Sequence, residues 1–243
     1  MINPDQATVA ADGFEVAATG LSEGEISALR EAVNPVLAQH QQRGGVRNVA
    51  RRLPNVLPVI LGPLKAAARS HFRGEPFAVR ILLFDKTPLS NWKVAWHQDV
   101  TIAVAHYGEV AGWGPWSRKD GVWHVRSPAS VLAEMLTVRL HLDPCGAENG
   151  PVRVIPGSHR LGRLPDAGIE AAVRRADPVD CLSPAGGVLL MRPLILHSSA
   201  PAATPAHRRV LHVEFAGDLL PDGFEWAERD GRSLVPVSNR GHR

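Results

Sequence analysis

An imidazole nitrogen and a carboxylate oxygen aimed at one point in space are two ligands of a mononuclear metal site. On a β-strand, residues i and i+2 share a face and can present such a pair. Three triplets have this spacing: His97-Gln98-Asp99, His141-Leu142-Asp143 and His212-Val213-Glu214. Eleven His and 24 acids in 243 residues predict about one such triplet by chance, so the surroundings of each must decide. A facial triad of two His and one carboxylate needs a second His from elsewhere in the chain, and leaves positions open for oxygen and a chelating cosubstrate. His197, at the end of the apolar run Leu194-Ile195-Leu196, is such a residue. Eleven positions later, after Pro201 and Pro205 turn the chain, comes Arg208. A hairpin of that length can bring a guanidinium fork beside the metal, where it suits one end of a dicarboxylate whose other end chelates iron. Alternation does not choose between Arg208 and Arg209, because Val210 and Leu211 are both apolar; only the spacing favours Arg208.

The other candidates read differently. His141 and Asp143 lack a comparable partner His and Arg and are read as structural, and His212 and Glu214 as strand alternation. Arg139 shares a strand face with Thr137 and His141 and reads as pocket lining. Lys86 and Lys93 flank a loop, Thr87 to Trp92, and are read as solvated. Pro156-Gly157-Ser158 is a turn, with His159 its structural partner.

Trp96-His97-Gln98-Asp99, Glu148-Asn149-Gly150, Ile155-Pro156-Gly157-Ser158-His159 and His197-x-Ser199 with Arg208 together resemble the phytanoyl-CoA dioxygenase family between Phe77 and Phe215. The resemblance implies a double-stranded β-helix and a dioxygenase using iron(II), 2-oxoglutarate and dioxygen. It implies that His97, Asp99 and His197 bind iron, that Arg208 holds the distal carboxylate of 2-oxoglutarate and that Ser199 adds a hydrogen bond. Arg139 is grouped with Arg208 and Ser199 as a cofactor contact. The expected reaction oxidises a small-molecule metabolite and releases succinate and carbon dioxide. The family's varied substrates do not license phytanoyl-CoA itself. In related iron halogenases a small residue takes the carboxylate's place, so Asp99 predicts hydroxylation, desaturation or cyclisation rather than halogenation. Two alternatives are a cupin-type metal enzyme without 2-oxoglutarate, which Arg208 and Ser199 oppose, and a non-catalytic jelly-roll binding protein.

The elements that must hold these residues are legible in outline. Ser22-Glu23-Gly24-Glu25 is a capping box that starts a helix, with Ile26, Leu29, Val33 and Leu37 at helical spacing and Pro35 expected to kink or end it. A second helix is expected within Val56 to Phe72, with cationic residues at its C-terminal end. After Gly74 the chain turns to short β-rich runs: Phe77 to Phe84, Asp99 to Ala105, Met135 to Leu142, Val152 to Ile155, Gly187 to Met191 and Arg208 to Phe215. Helices over about 21–72 followed by strands over about 77–216 predict a mainly β, cupin-like jelly roll with flanking helices, in a single domain over 1–243. The segment 107–130, with Trp113, Trp116 and Trp123 among glycine and proline breakers, is expected to be a long functional loop acting as a lid.

Composition bounds the rest. The chain is 44% hydrophobic and 21% charged, and its longest apolar stretch, Val56 to Leu64, is interrupted by Pro58, Gly62 and Pro63, well short of the ~20 residues of a membrane span. No Lys or Arg precedes Arg30, so neither a secretory n-region nor a transit peptide is recognised, and the 238–243 stretch carries no peroxisomal address. The expectation is a cytoplasmic protein with Cys145 and Cys181 as free thiols. The net charge of +3 is weak support for nucleic acid, and the basic cluster Arg43, Arg47, Arg51 and Arg52 lacks aromatics for base stacking. A small-molecule substrate is expected, an anionic one fitting the charge equally well, with neither nucleic acid nor membrane as partner.

Overall fold

From Arg80 to Lys86 alternation places even positions on one face and odd positions on the other, a register shift at Val79 ends that pattern, and the fold gives both faces something to cover. The computed structural model describes residues 6–40 and 44–235. Arg43 of the basic cluster, the extreme N-terminus and 238–243 lie outside them.

Strand β1 (Phe14–Ala18) is followed by helices α1 (Glu23–Ala38), α2 (Val49–Arg52) and α3 (Leu57–Ala68), and then by β2 (Phe77–Lys86) and β3 (Val94–His97). Next come β4 (Thr101–Val104), β5 (Trp116–Lys119), β6 (Val122–Arg126), the short α4 (Ala129–Ala133), β7 (Leu136–His141) and β8 (Val152–Val154). After α5 (Asp166–Arg174) the chain forms β9 (Val179–Cys181), β10 (Gly187–Met191), β11 (His197–Ser199), β12 (Arg208–Ala216), β13 (Glu228–Arg229) and β14 (Arg232–Ser233). Two antiparallel sheets make the jelly roll, one in the order β1-β10-β7-β12-β2, the other β3-β11-β8-β9.

The capping box forms as read: Glu25 N–H donates to Ser22 Oγ, and Ser22 N–H to the Glu25 carboxylate at 2.8 Å. Pro35 does not end α1, which runs on to Ala38; a proline in an exposed last turn removes a single backbone donor. Ile26, Leu29 and Val33 of α1 and Ile60 and Leu64 of α3 pack on Ile81, Leu83, Val138, Leu140, Leu211 and Val213 of the five-stranded sheet. At roughly 1.5–3 kcal/mol per fully buried aliphatic side chain, this layer commits Ile81 and Leu83 of β2 and Leu211 and Val213 of β12 to the helices. The even positions, Arg80, Leu82, Phe84, Arg208 and His212, are thereby turned toward the second sheet.

The expected loop at 107–130 carries regular structure in its second half. It contains the hairpin β5–β6, which with β4 forms a three-stranded sheet in the order β4-β6-β5. Trp113 is buried beside Phe224, and Tyr107, Trp116 and Trp123 pack on one another. Among the described residues, no helix is long and apolar enough to cross a membrane.

Candidate metal centre

β3 and β11 run antiparallel with His97 directly opposite His197, and a register shift follows before Ser199. The two rings stand 4.1 Å apart between centroids. Each commits one nitrogen to its own chain: His97 Nδ1 lies 2.9 Å from the Ala95 carbonyl, and His197 Nδ1 3.0 Å from that of Ile195. A carbonyl only accepts, so both protons sit on Nδ1 and both Nε2 lone pairs are left for a metal.

Asp99 is not on the strand. β3 ends at His97, and Asp99 N–H donates to the Pro193 carbonyl at 2.9 Å. The i, i+2 relation therefore works through a turn, and Gln98 shapes that turn. Its buried amide donates to the carbonyls of Gly162 and Leu194, both at 2.7 Å, and accepts from Leu164 N–H at 2.8 Å. The Asp99 carboxylate then meets His97 Nε2 at 3.7 Å and His197 Nε2 at 3.6 Å, and one donor atom from each of the three residues falls within 4.8 Å of the others. Burial works to raise the Asp99 carboxyl, but His197, His97, His212 and Arg80 outweigh it and hold it at about 2. Burial pushes the His197 imidazole down to about 4 against the pull of Asp99. An ionised carboxylate and a neutral imidazole are the forms that bind a metal.

Beside the triad lies a cavity of about 190 Å³ lined by Arg80, Phe84, Arg139, Ser199, Arg208 and His212 among others. Arg208 opens β12, 4% exposed, donating to the Gly150 carbonyl and keeping a buried Nε without a protein partner. Ser199 Oγ donates to the same carbonyl at 2.9 Å. Gly150 has φ +59°, and a Cβ there would lie 2.3 Å from the Ala200 carbonyl oxygen, so the Glu148-Asn149-Gly150 motif keeps its glycine for steric reasons. Arg209, one residue on, faces the helices: its guanidinium grips Asp143 at 2.6 and 2.8 Å and reaches Asn34 of α1 at 2.7 Å.

Arg139 donates to His212 Nδ1 at 2.8 Å. An Arg cannot accept, so the His212 proton is on Nε2, 3.3 Å from Glu214, which in turn receives Arg80. The pair read as mere alternation is thus part of a buried ladder across three strands, Arg139–His212–Glu214–Arg80. Cross-strand register sets it, His212 opposite Arg139 and Glu214 opposite Arg80.

Lys86 corrects the reading of a solvated loop residue. It ends β2 completely buried, with Nζ donating to Ser199 Oγ at 2.7 Å and to the Ala200 carbonyl. Continued even-position alternation along β2 was the signal for this. Lys93 is exposed, as read. His141 is buried apart from the triad with both ring nitrogens unpartnered, pushed to about 3 by burial and then by Arg139 and Arg208. Nothing in the sequence marked Gln98 as the bracket of the turn.

The profile of the phytanoyl-CoA dioxygenase (PhyH) family matches residues 10–210. No curated protein sequence matches the chain. Among solved structures, the non-heme α-ketoglutarate-dependent carbocyclase SnoK from nogalamycin biosynthesis is similar at 17% identity and TM-score 0.65, over 86% of this chain and 81% of that one. AviO1 from Streptomyces viridochromogenes Tue57 is similar at 20% identity and TM-score 0.66, over 91% and 99%. EctD from S. alaskensis with bound Fe is similar at 18% identity and TM-score 0.64, over 86% and 74%, and has also been solved with 2-oxoglutarate and 5-hydroxyectoine. At these identities the likeness is one of fold.

Proposed function

Since the chain belongs to the phytanoyl-CoA dioxygenase family and is an iron(II)- and 2-oxoglutarate-dependent dioxygenase, we propose that His97, Asp99 and His197 hold its iron. Arg208, with Ser199 and Arg139, receives 2-oxoglutarate, and a small-molecule metabolite is oxidised beside them. The observation that carries the assignment is the convergence of two Nε2 lone pairs and one ionised carboxylate, with both imidazoles oriented by backbone carbonyls. Two imidazoles and a carboxylate on one side of a site fit iron(II) and leave positions for exogenous ligands. The chemistry that iron(II) supplies there when bound is oxidation of the substrate by dioxygen, coupled to decarboxylation of 2-oxoglutarate to succinate and carbon dioxide.

The chain's own residues do the rest. His97 and His197 donate through Nε2 because their Nδ1 protons stay with Ala95 and Ile195. Arg208 offers a guanidinium already desolvated, so its charge-assisted contact to a carboxylate acts at low dielectric. Lys86 fixes Ser199 from behind and adds positive charge. Phe84, Trp92 and Val152 give the cavity apolar walls.

Anaerobic addition of iron(II) and 2-oxoglutarate should produce a weak visible charge-transfer band. Ala at His97, Asp99 or His197 should abolish it, and His141→Ala should retain it. A band lost in His141→Ala and kept in His97→Ala would reverse the assignment.

A further inference from the structure

The cavity beside the triad, about 190 Å³, is smaller than the ~300–1,000 Å³ of sites for drug-sized ligands. It suits a small acid, and a metabolite must extend into adjoining space. Next to the cavity lies a narrower crevice of about 40 Å³, room for one small polar group, along the free edge of β2 and sharing Arg80 and Leu82 with the metal cavity. Its other walls come from α2, the β5–β6 hairpin and β13.

The crevice is braced. Val46 exchanges two backbone hydrogen bonds with Leu83, which seats Arg47 at the strand edge, and Arg47 pairs with Asp120 of the β5–β6 turn at 3.6 Å. Arg51 is steadied by Ser233 at 2.7 Å. Buried polar atoms on its walls have no protein partner: Arg80 Nε, His124 Nε2 and Glu228 Oε1. His124 Nδ1 faces the Val122 carbonyl at 3.2 Å, so its Nε2 is an acceptor awaiting a donor. Lys119 makes no ion pair among the described residues, and burial, then Arg80 and Arg47, disfavour its charge. Burial raises the Glu228 carboxyl to about 7, which lets it donate a proton to an oxyanion near neutrality.

Charge sets the ligand's class. The crevice and metal cavity together are lined by six cations, Arg47, Arg51, Arg80, Lys119, Arg139 and Arg208, against two carboxylates, Asp99 and Glu228. Behind the walls, Lys86 adds one positive charge, and Glu214 and Asp120 add two negative ones. The excess of three positive charges survives loading, because iron(II) and the 2-oxoglutarate dianion cancel. We propose that this crevice seats an oxyanion group of the metabolite, held by Arg47, Arg51, Arg80 and Lys119, with a neighbouring hydroxyl donating to His124. The proposal rests on the iron reading for its meaning as a substrate site, since the crevice shares the Arg80 and Leu82 wall with that cavity.

Inorganic sulfate, which keeps iron(II) in solution, probes it with 2-oxoglutarate already in place. Calorimetric titration of the anaerobic protein–iron(II)–2-oxoglutarate complex should show saturable one-to-one binding with Kd below about 10 mM. Lys119→Met and Arg51→Met should each weaken it about tenfold, with the visible band preserved. Absence of saturable binding to the wild-type protein, or equal binding by both variants, would overturn the proposal. A missing band with sulfate binding intact would instead strike the iron reading and leave the anion seat standing.

Discussion

Arg208 and Arg209 are adjacent and chemically identical, and their neighbours give them separate tasks. Arg208 keeps an unpartnered buried Nε in the metal cavity, whereas the donors of Arg209 are occupied by Asp143 and Asn34. Arg208→Ala should raise the 2-oxoglutarate requirement by orders of magnitude, because a desolvated carboxylate loses a partner worth ~2–5 kcal/mol, with little change in Tm. Arg209→Ala should do the reverse, costing up to about 3 kcal/mol of stability by breaking a largely buried pair and leaving the 2-oxoglutarate requirement near wild type. Titration of the visible band and thermal unfolding of both variants check this, and the opposite ranking would refute the assignment of faces. Gln98 makes a similar test. Gln98→Leu strips three hydrogen bonds from the turn that delivers Asp99. Iron affinity should fall although no proposed ligand is touched, with about 1–3 kcal/mol lost from stability for orphaned backbone groups.

At the scale of elements, β2 and β12 each divide their residues between two environments. From Arg80 to Leu83 and from Val210 to Val213 the odd positions pack in the core beneath α1 and α3, and the even positions of the two strands carry the charged ladder and Lys86. Burial, followed by Arg208, lowers Lys86 from 10.5 to about 8. Between those values the folded chain has released a proton that the unfolded chain still holds, so stability rises with pH across that window. Lys86→Met should flatten that rise in denaturant titrations at pH 8 and pH 10. It should also raise the 2-oxoglutarate requirement severalfold at pH 7, as Ser199 loses its support. The β5–β6 hairpin behaves as packed sheet: cleavage at Arg118 or Lys119 in limited proteolysis should keep pace with global unfolding. Rapid cutting of the native protein there would restore the loop expected from its glycines and prolines.

The proposed site draws its parts from both sheets, with His97 and His197 on β3 and β11 and Arg139 and Arg208 on β7 and β12. Ligands at the site would clamp the two layers, so stability of the whole molecule should report on them. Iron(II) and 2-oxoglutarate together, anaerobically and each at about 100 times its Kd, should stabilise the fold by about 5.4 kcal/mol, about 2.7 from each ligand, and a chelator should remove the gain. The sequence by itself determined the residue types and their order: the His-x-Asp spacing, the distal His with its Arg, the capping box, and most of the strands that form the jelly roll. Those signals are local, set by backbone periodicity and by the few residue types that serve as ligands or caps. Tertiary structure alone decided which face of each strand looks inward. Alternation separates odd from even positions but is symmetric between them until α1 and α3 cover one side. That covering sends Arg208 to the cavity and Arg209 to Asp143, and it buries Lys86. The turn held by Gln98 and the crevice along β2 were equally out of reach, since each is made of contacts between segments far apart in the chain, and burial, which sets the strength of every charge in them, exists only after those segments meet.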